Sequence, residues 1–324
     1  MDDEVKNDNG IEKKYLVMDK IYSIIIKERL RAGEVLFSML KEAGIKYAVH
    51  KGAVLSYVLY DNPFLRRSVD TDILISRADA STVKAMFLEN GFVQGRIVEK
   101  SDTHIREIEK YSRIEAVYQI SQSHQLASFV KKTGNVFCQF VNYDVNIDIF
   151  WGESGRHMDM DTFLNDTMAI DICGIQLCKL TPEAEFIALC MHHYKDLNSI
   201  YLLWMYGINK KELVEIYLYI KKSIMDFEYL YSLCMKYGVA DYIYYCISKA
   251  NLLYNDPLLN KLSKKFESET GKALLDCFGL CDSERKYWAE DFMTIWKTGD
   301  VKMYMKPLLT LEDFKKIELN ERMM

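Results

Sequence analysis

Three carboxylates and one glycine turn are where this sequence could do chemistry. Asp70-Thr71-Asp72 opens the apolar run Ile73-Leu74-Ile75. Side chains at i and i+2 of a strand share a face, so the two carboxylates aim the same way. The run behind them is apolar on both faces and reads as a central, buried strand. Two adjacent anions at the mouth of such a strand repel unless a cation lies between them. A hard divalent ion such as Mg²⁺ takes oxygen ligands, usually one or two carboxylates together with substrate phosphates. Two such ions about 3.5–4 Å apart clamp the attacking and leaving oxygens of an in-line displacement. That chemistry is nucleotidyl transfer. A bare Asp-x-Asp equally describes two water-facing residues at a strand end, so its neighbours decide its meaning.

Lys51-Gly52-Ala53 falls between a short β-like run and a helical pattern. Backbone N–H groups at a helix start attract phosphate, glycine permits close approach, and Lys51 adds a charge; such a turn is also common in any α/β protein. Asp148 lies late in Asp144-Val145-Asn146-Ile147-Asp148-Ile149-Phe150-Trp151. Alternation sends residues 144, 146 and 148 to one face and the aliphatic residues to the other. Alternation alone accounts for Asp144 and Asn146 as a polar edge. Asp148, hemmed by Ile147 and Ile149-Phe150-Trp151, is instead the candidate for a third carboxylate, completing a metal site and acting as general base. An exposed polar face explains it equally. Further on, His192 shares a helix face with Lys195 and Asp196. That set fits contacts to phosphate or base, or a polar face at a domain seam. Adjacent histidines point about 100° apart, so His192 and His193 are not expected to serve one metal, and zinc is not expected.

The elements that must hold these residues can be read from periodicity. Helical spacing runs through 11–43 as one or two helices, ended by Gly44. A strand at 46–50, a helix at 53–60, the breaker Asp61-Asn62-Pro63, a strand at 70–75 and a helix at 79–89 follow. Residues 92–98 suit a strand, 99–120 has no clear pattern, and 125–131 alternates before the turn Lys132-Thr133-Gly134-Asn135. Residues 136–151 read as one long strand, straight or kinked, returning on it as a hairpin, and 174–177 as a short strand. Thr181-Pro182-Glu183 then opens a helix, with Thr as cap and Pro in the first turn. From there to about 305 helix follows helix with no strand, including helices over 257–280 and 283–297. The expected divisions are an N-terminal helical segment (1–43), a mixed-sheet core (44–155) and a C-terminal helical domain (156–324).

Composition agrees with this picture. The chain has 324 residues, enough for two domains, and only 4 prolines and 15 glycines, so helix dominates. A net charge of −5 argues against a protein that wraps nucleic acid, because such proteins draw affinity from neutralising phosphates. The 8 cysteines form no paired C-x-x-C framework and read as reduced thiols. The acidic start lacks the basic region of a secretory signal, and no run is long enough to span a membrane, so a cytoplasmic protein is expected. The 22 tyrosines and 16 methionines, scattered through helical segments, read as core filling.

Taken together, Lys51-Gly52, Arg66, Asp70-x-Asp72 before an apolar strand, and Ile147-Asp148-Ile149-Phe150-Trp151 resemble the uncharacterised nucleotidyltransferase family of the DNA-polymerase-β-like superfamily. The resemblance covers about residues 35–200 and takes in the helix opened by Leu180-Thr181-Pro182-Glu183. It implies an α+β fold: a small mixed β-sheet flanked by helices, with a C-terminal all-α domain. By the same resemblance two Mg²⁺ ions would be bound by Asp70 and Asp72 with Asp148 as third carboxylate. A nucleoside triphosphate, ATP among the candidates, would lie at Lys51, Gly52 and Arg66, with His192 and Lys195 as further contacts. The reaction implied is transfer of a nucleoside monophosphate to an acceptor hydroxyl, with a small molecule or peptide favoured over RNA as acceptor. The sequence has Gly52-Ala53 where the superfamily has Gly-Ser, and Phe150 where the family often has His. Two other readings stand beside this one: a non-catalytic module binding nucleotide or a partner, and a toxin-like transferase acting on RNA.

Overall fold

The computed structural model describes residues 2–60, 66, 68–100 and 105–323, with side chains from Met18 on, Glu153 excepted. The breaker Asp61-Asn62-Pro63 lies outside the described residues. In chain order the elements are α1 (Asp2–Glu42), β1 (Tyr47–His50), α2 (Gly52–Leu59), β2 (Thr71–Ile75), α3 (Ala80–Glu89), β3 (Val93–Glu99), β4 (Arg106–Lys110), α4 (Arg113–Ser123), β5 (Phe129–Lys132), β6 (Phe140–Asn146), α5 (Met160–Phe163), β7 (Thr167–Ile172) and β8 (Ile175–Leu180). The helical run is α6 (Pro182–Asn198), α7 (Ile200–Tyr206), α8 (Lys210–Lys222), α9 (Phe227–Tyr237), α10 (Ala240–Tyr254), α11 (Pro257–Phe266) and α12 (Glu269–Leu274). After the short strands β9 (Cys277–Phe278) and β10 (Lys286–Tyr287) come α13 (Phe292–Thr298), α14 (Val301–Met305) and α15 (Leu311–Met323). No helix among the described residues is long and apolar enough to cross a membrane.

The chain folds into two compact units: residues 1–113, 125–147 and 167–179 in the first, and 114–124, 148–166 and 180–324 in the second. The first is built on a six-stranded mixed sheet in the order β1-β2-β6-β5-β3-β4. Only β2 and β6 run parallel; the other neighbours are antiparallel. Every residue of β2 is buried, as its unbroken apolar run requires. β6 alternates, burying Val141, Tyr143 and Val145. These meet an aromatic group in which Phe87 stacks on Phe129 at 4.4 Å, and Phe92 meets Tyr143 edge-on at 5.4 Å. Such pairs add about 0.5–1.5 kcal/mol each beyond burial. Helix α1 lies against this group, with Phe37 stacked on Tyr47 at 5.7 Å. Gly33 is glycine because a β-carbon there would overlap the Tyr143 hydroxyl, which donates to the Arg29 carbonyl.

Three expectations need correction. The strand foreseen over 136–151 is only Phe140–Asn146, because the chain leaves the sheet to wrap around the Asp148 carboxylate. The patternless stretch 99–120 supplies β4, an outer strand, and α4. The helix foreseen over 257–280 breaks where Ser268 caps α12, then gives way to β9, which pairs with β10 inside the stretch read as helix 283–297.

In the second unit the helices pack around α6, where Trp151 stacks on Tyr194 at 5.5 Å and Tyr194 meets Tyr242 at 4.6 Å. Pro182 opens α6 with Glu183 and Glu185 in the first turn, favourable to the helix dipole. Thr181 occupies the capping position, but its hydroxyl makes no capping hydrogen bond. The cysteines are free thiols, and Cys138, Cys190, Cys234, Cys246 and Cys277 are buried.

Candidate active site

The parallel pairing of β2 and β6 sets Thr71 beside Tyr143 and Asp72 beside Asp144. Residues paired across neighbouring strands turn their side chains to the same face. Tyr143 goes to the aromatic side, and Asp72 and Asp144 go to the other, where Asp70 joins them. Asp72 is buried; Asp70 and Asp144 are half-buried. Three carboxylates thus share one mouth of the first unit.

Four neighbours hold the cluster. Lys51 Nζ lies 2.8 Å from Asp72 Oδ1. Asn146 Nδ2 donates to the same oxygen at 3.4 Å, and Ser128 Oγ donates to Asp144 Oδ1 at 2.6 Å. His50 stands opposite Asp72 in the antiparallel β1–β2 register. Behind them, Arg29 Nη1 of α1 donates to the Ser68 carbonyl at 2.6 Å.

The three acids differ in charge state for reasons visible in this packing. Burial opposes ionisation of Asp72, but Lys51, His50 and the hydrogen bonds from Lys51 and Asn146 outweigh it and hold the carboxyl below its ordinary value. Asp70 is pushed up by burial and then by the charge of Asp72. Asp144 is pushed to about 7, first by burial and then by the charges of Asp72 and Asp70. With all three carboxyls ionised, the site would carry more negative charge than Lys51 and Arg29 relieve. An oxygen-only donor set with that excess fits a hard divalent cation.

The turn before α2 is strained. Lys51 has φ 54° and Gly52 φ 36°, both left-handed, and a β-carbon on Gly52 would sit 3.3 Å from the Asp70 carbonyl oxygen. Helix α2 starts at Gly52 with no side chain capping it, which leaves its first turn open to an anion. Buried Arg66 donates from Nη1 to the Gly52 carbonyl at 3.3 Å, and Ser56 Oγ donates to the same carbonyl at 3.0 Å. Arg66 thus buckles the turn.

Asp148, expected as the third carboxylate, falls in the second unit. The register pairs Asp72 with Asp144, and β6 ends at Asn146, before Asp148 is reached. Buried Asp148 accepts from the backbone N–H of Phe150 at 2.9 Å and of Met158 at 3.1 Å, and its Oδ2 lies 3.1 Å from His157 Nδ1. His124, at φ 50°, approaches the same oxygen at 3.6 Å and contacts the Phe150 carbonyl at 3.1 Å. Asp148 organises a turn. His192 and Lys195 also lie in the second unit, on α6, with His192 Nε2 3.2 Å from Asp196 Oδ2. The adjacent histidines, expected to diverge, converge: ligand atoms of His192, His193 and Asp196 all lie within 4.8 Å of one another. Rotation about the side-chain bonds closes the angle that the helix backbone opens.

Sequence reasoning missed Asp144, His50, Asn146, Ser128 and Arg29. The alternation that set Asp144 aside was itself the available signal, since a polar strand face beside an Asp-x-Asp strand lies on the Asp-x-Asp side when the registers match. Nothing in the local sequence marks Ser128 or Arg29.

A profile of the family described as uncharacterised nucleotidyltransferase matches residues 29–255. One similar solved structure is that of an antigenic nucleotidyltransferase-like protein from Paracoccidioides brasiliensis, 16% identical over 76% of this chain and 93% of that one, with a TM-score of 0.41. No curated protein matches the chain.

Proposed function

From the premise that this chain belongs to the uncharacterised nucleotidyltransferase family, we propose that it moves a nucleoside monophosphate from a nucleoside triphosphate to an acceptor hydroxyl. The observation that carries this reading is the meeting of Asp70, Asp72 and Asp144 beside the Lys51–Gly52 turn. Asp70, Asp72 and Asp144 would hold Mg²⁺. Bound there, divalent ions neutralise charge gathering on the α-phosphate and ease loss of the acceptor's proton.

The remaining work belongs to the protein's own groups. The open first turn of α2 and the Lys51 ammonium bind the triphosphate, and Gly52 lets it approach the backbone. Asp144 accepts the proton of the acceptor hydroxyl. The acceptor oxygen bonds to the α-phosphorus, the bond from that phosphorus to the bridging oxygen breaks, and pyrophosphate leaves with the electron pair. Asp72, held ionised by Lys51, keeps its negative charge throughout. With a net charge of −5, a small-molecule or peptide acceptor suits the chain better than RNA.

Calorimetric titration of each nucleoside triphosphate, with and without Mg²⁺, tests the reading on the wild type and on Asp70→Asn/Asp72→Asn. Mg²⁺-dependent binding that the double variant loses while staying folded is expected. Binding that persists unchanged in the folded double variant, or no binding of any triphosphate to the wild type, would sink it.

A further inference from the structure

The second unit holds another group of metal-type donors. On α6, His192, His193 and Asp196 bring their ligand atoms within 4.8 Å of one another. On α8, Glu212 and Glu215 share one face at i and i+3. The two helices meet through His193, whose Nε2 lies 3.4 Å from Glu215 Oε2. The neighbouring pair, His192 Nε2 and Asp196 Oδ2, stands at 3.2 Å.

Several of these donors are unspent. Glu212 is 5% exposed, and its Oε2 has no hydrogen-bond partner among the described residues. His193 is 3% exposed, and neither ring nitrogen has one. Burial, and then the charges of Asp196 and Glu215, push the Glu212 carboxyl well above its ordinary range, with Lys211 opposing them. Lys211, with a side chain 41% exposed, lies 3.7 Å from Glu215 Oε1. A buried imidazole whose ring nitrogens make no hydrogen bond is costly, and a cation bound by one of them offsets that cost. Zn–N and Zn–O bonds of about 2.0–2.1 Å give a tetrahedral edge of about 3.3 Å between neighbouring ligands. The N···O pair of His192 and Asp196, at 3.2 Å, has that spacing.

We propose that the seam between α6 and α8 binds one divalent transition-metal ion of the zinc class, held by His192, His193 and Asp196, with Glu215 against His193 and Glu212 behind them. Imidazole mixed with carboxylate selects such ions over Mg²⁺ and Ca²⁺, which prefer oxygen alone. His192 and Asp196, with side chains 29% and 23% exposed, give the ion its way in. None of this depends on the Asp70 cluster.

The test uses the full chain after chelation, in the wild type and in the Asp70→Asn/Asp72→Asn background, titrated with Zn²⁺ and read by bound metal and Tm. One Zn²⁺ per chain in both, with Tm rising with free Zn²⁺, is expected. A visible absorption band on Co²⁺ substitution would report the tetrahedral N/O shell. His193→Ala and Glu215→Gln should each weaken Zn²⁺ binding at least about tenfold. Should either fail to fold, Glu212→Gln keeps the shape of the buried group and removes its charge. Its metal-free form should be at least as stable as the wild type, yet gain less Tm from Zn²⁺. Equal Zn²⁺ affinity in wild type, Glu215→Gln and Glu212→Gln would overturn the proposal, as would a wild type that takes up no Zn²⁺.

Discussion

Asp144→Asn should stabilise the metal-free protein, and by an amount that depends on pH. In the folded chain this carboxyl is pushed from 3.8 to about 7 by burial beside Asp72 and Asp70. The unfolded chain releases the proton near the ordinary value, whereas the folded chain keeps it to neutrality. Over that interval the native state binds more protons, so wild-type stability falls as pH rises from about 4 and levels off above about 7. The shift spans about three pH units at about 1.36 kcal/mol each, so the loss is at most about 4 kcal/mol. Asparagine has no proton to hold and loses nothing. Urea unfolding with a chelator should therefore show the variant's advantage growing between about pH 4 and about pH 7, then staying flat. Mg²⁺ should stabilise the wild type more than the variant, since the ion offsets the charge that the substitution removes while Asp70 and Asp72 remain in both. A stability difference that stays constant across this pH range would refute the account of Asp144 as a carboxylate strained by two like charges.

Other substitutions separate the remaining parts of the molecule. Gly52→Ala forces a β-carbon into a left-handed φ of 36° at 3.3 Å from the Asp70 carbonyl; it should cost about 1–3 kcal/mol by thermal unfolding and weaken triphosphate binding. Asp148→Asn removes a buried charge that accepts two backbone N–H groups, so stability should fall by about 1–3 kcal/mol while Mg²⁺-dependent triphosphate binding, read by calorimetry, stays. Lys249 is buried with its Nζ on the Leu275 carbonyl at 2.6 Å, and burial lowers its pKa to about 8. The unfolded lysine holds its proton longer, so the wild type should gain on Lys249→Met by up to about 3 kcal/mol as pH rises from about 8 to about 10.5 in urea unfolding.

What the sequence determined alone was local. The shared face of Asp70 and Asp72 follows from the period of a strand, the buried character of Ile73-Leu74-Ile75 from its lack of alternation, and the helix from Pro182 from its proline and acidic first turn. The glycine at position 52 could be read as a turn between strand and helix. Each needs only a few neighbouring residues, so composition and spacing suffice. Which carboxylate lies beside Asp72 was decided elsewhere. Asp144 and Asp148 share a strand face in any local reading, and only the register between two strands far apart in sequence sets Asp144 beside Asp72. The same holds for Arg29 behind Ser68, for Ser128 on Asp144, and for His193 meeting Glu215 across two helices. Such partners are chosen by packing: Gly33 lets α1 close on Tyr143, and that closure fixes β6 against the aromatic side and turns Asp144 to the other. Local sequence dictates which way a side chain points, and the tertiary structure dictates what it meets, because burial and register are properties of the whole sheet.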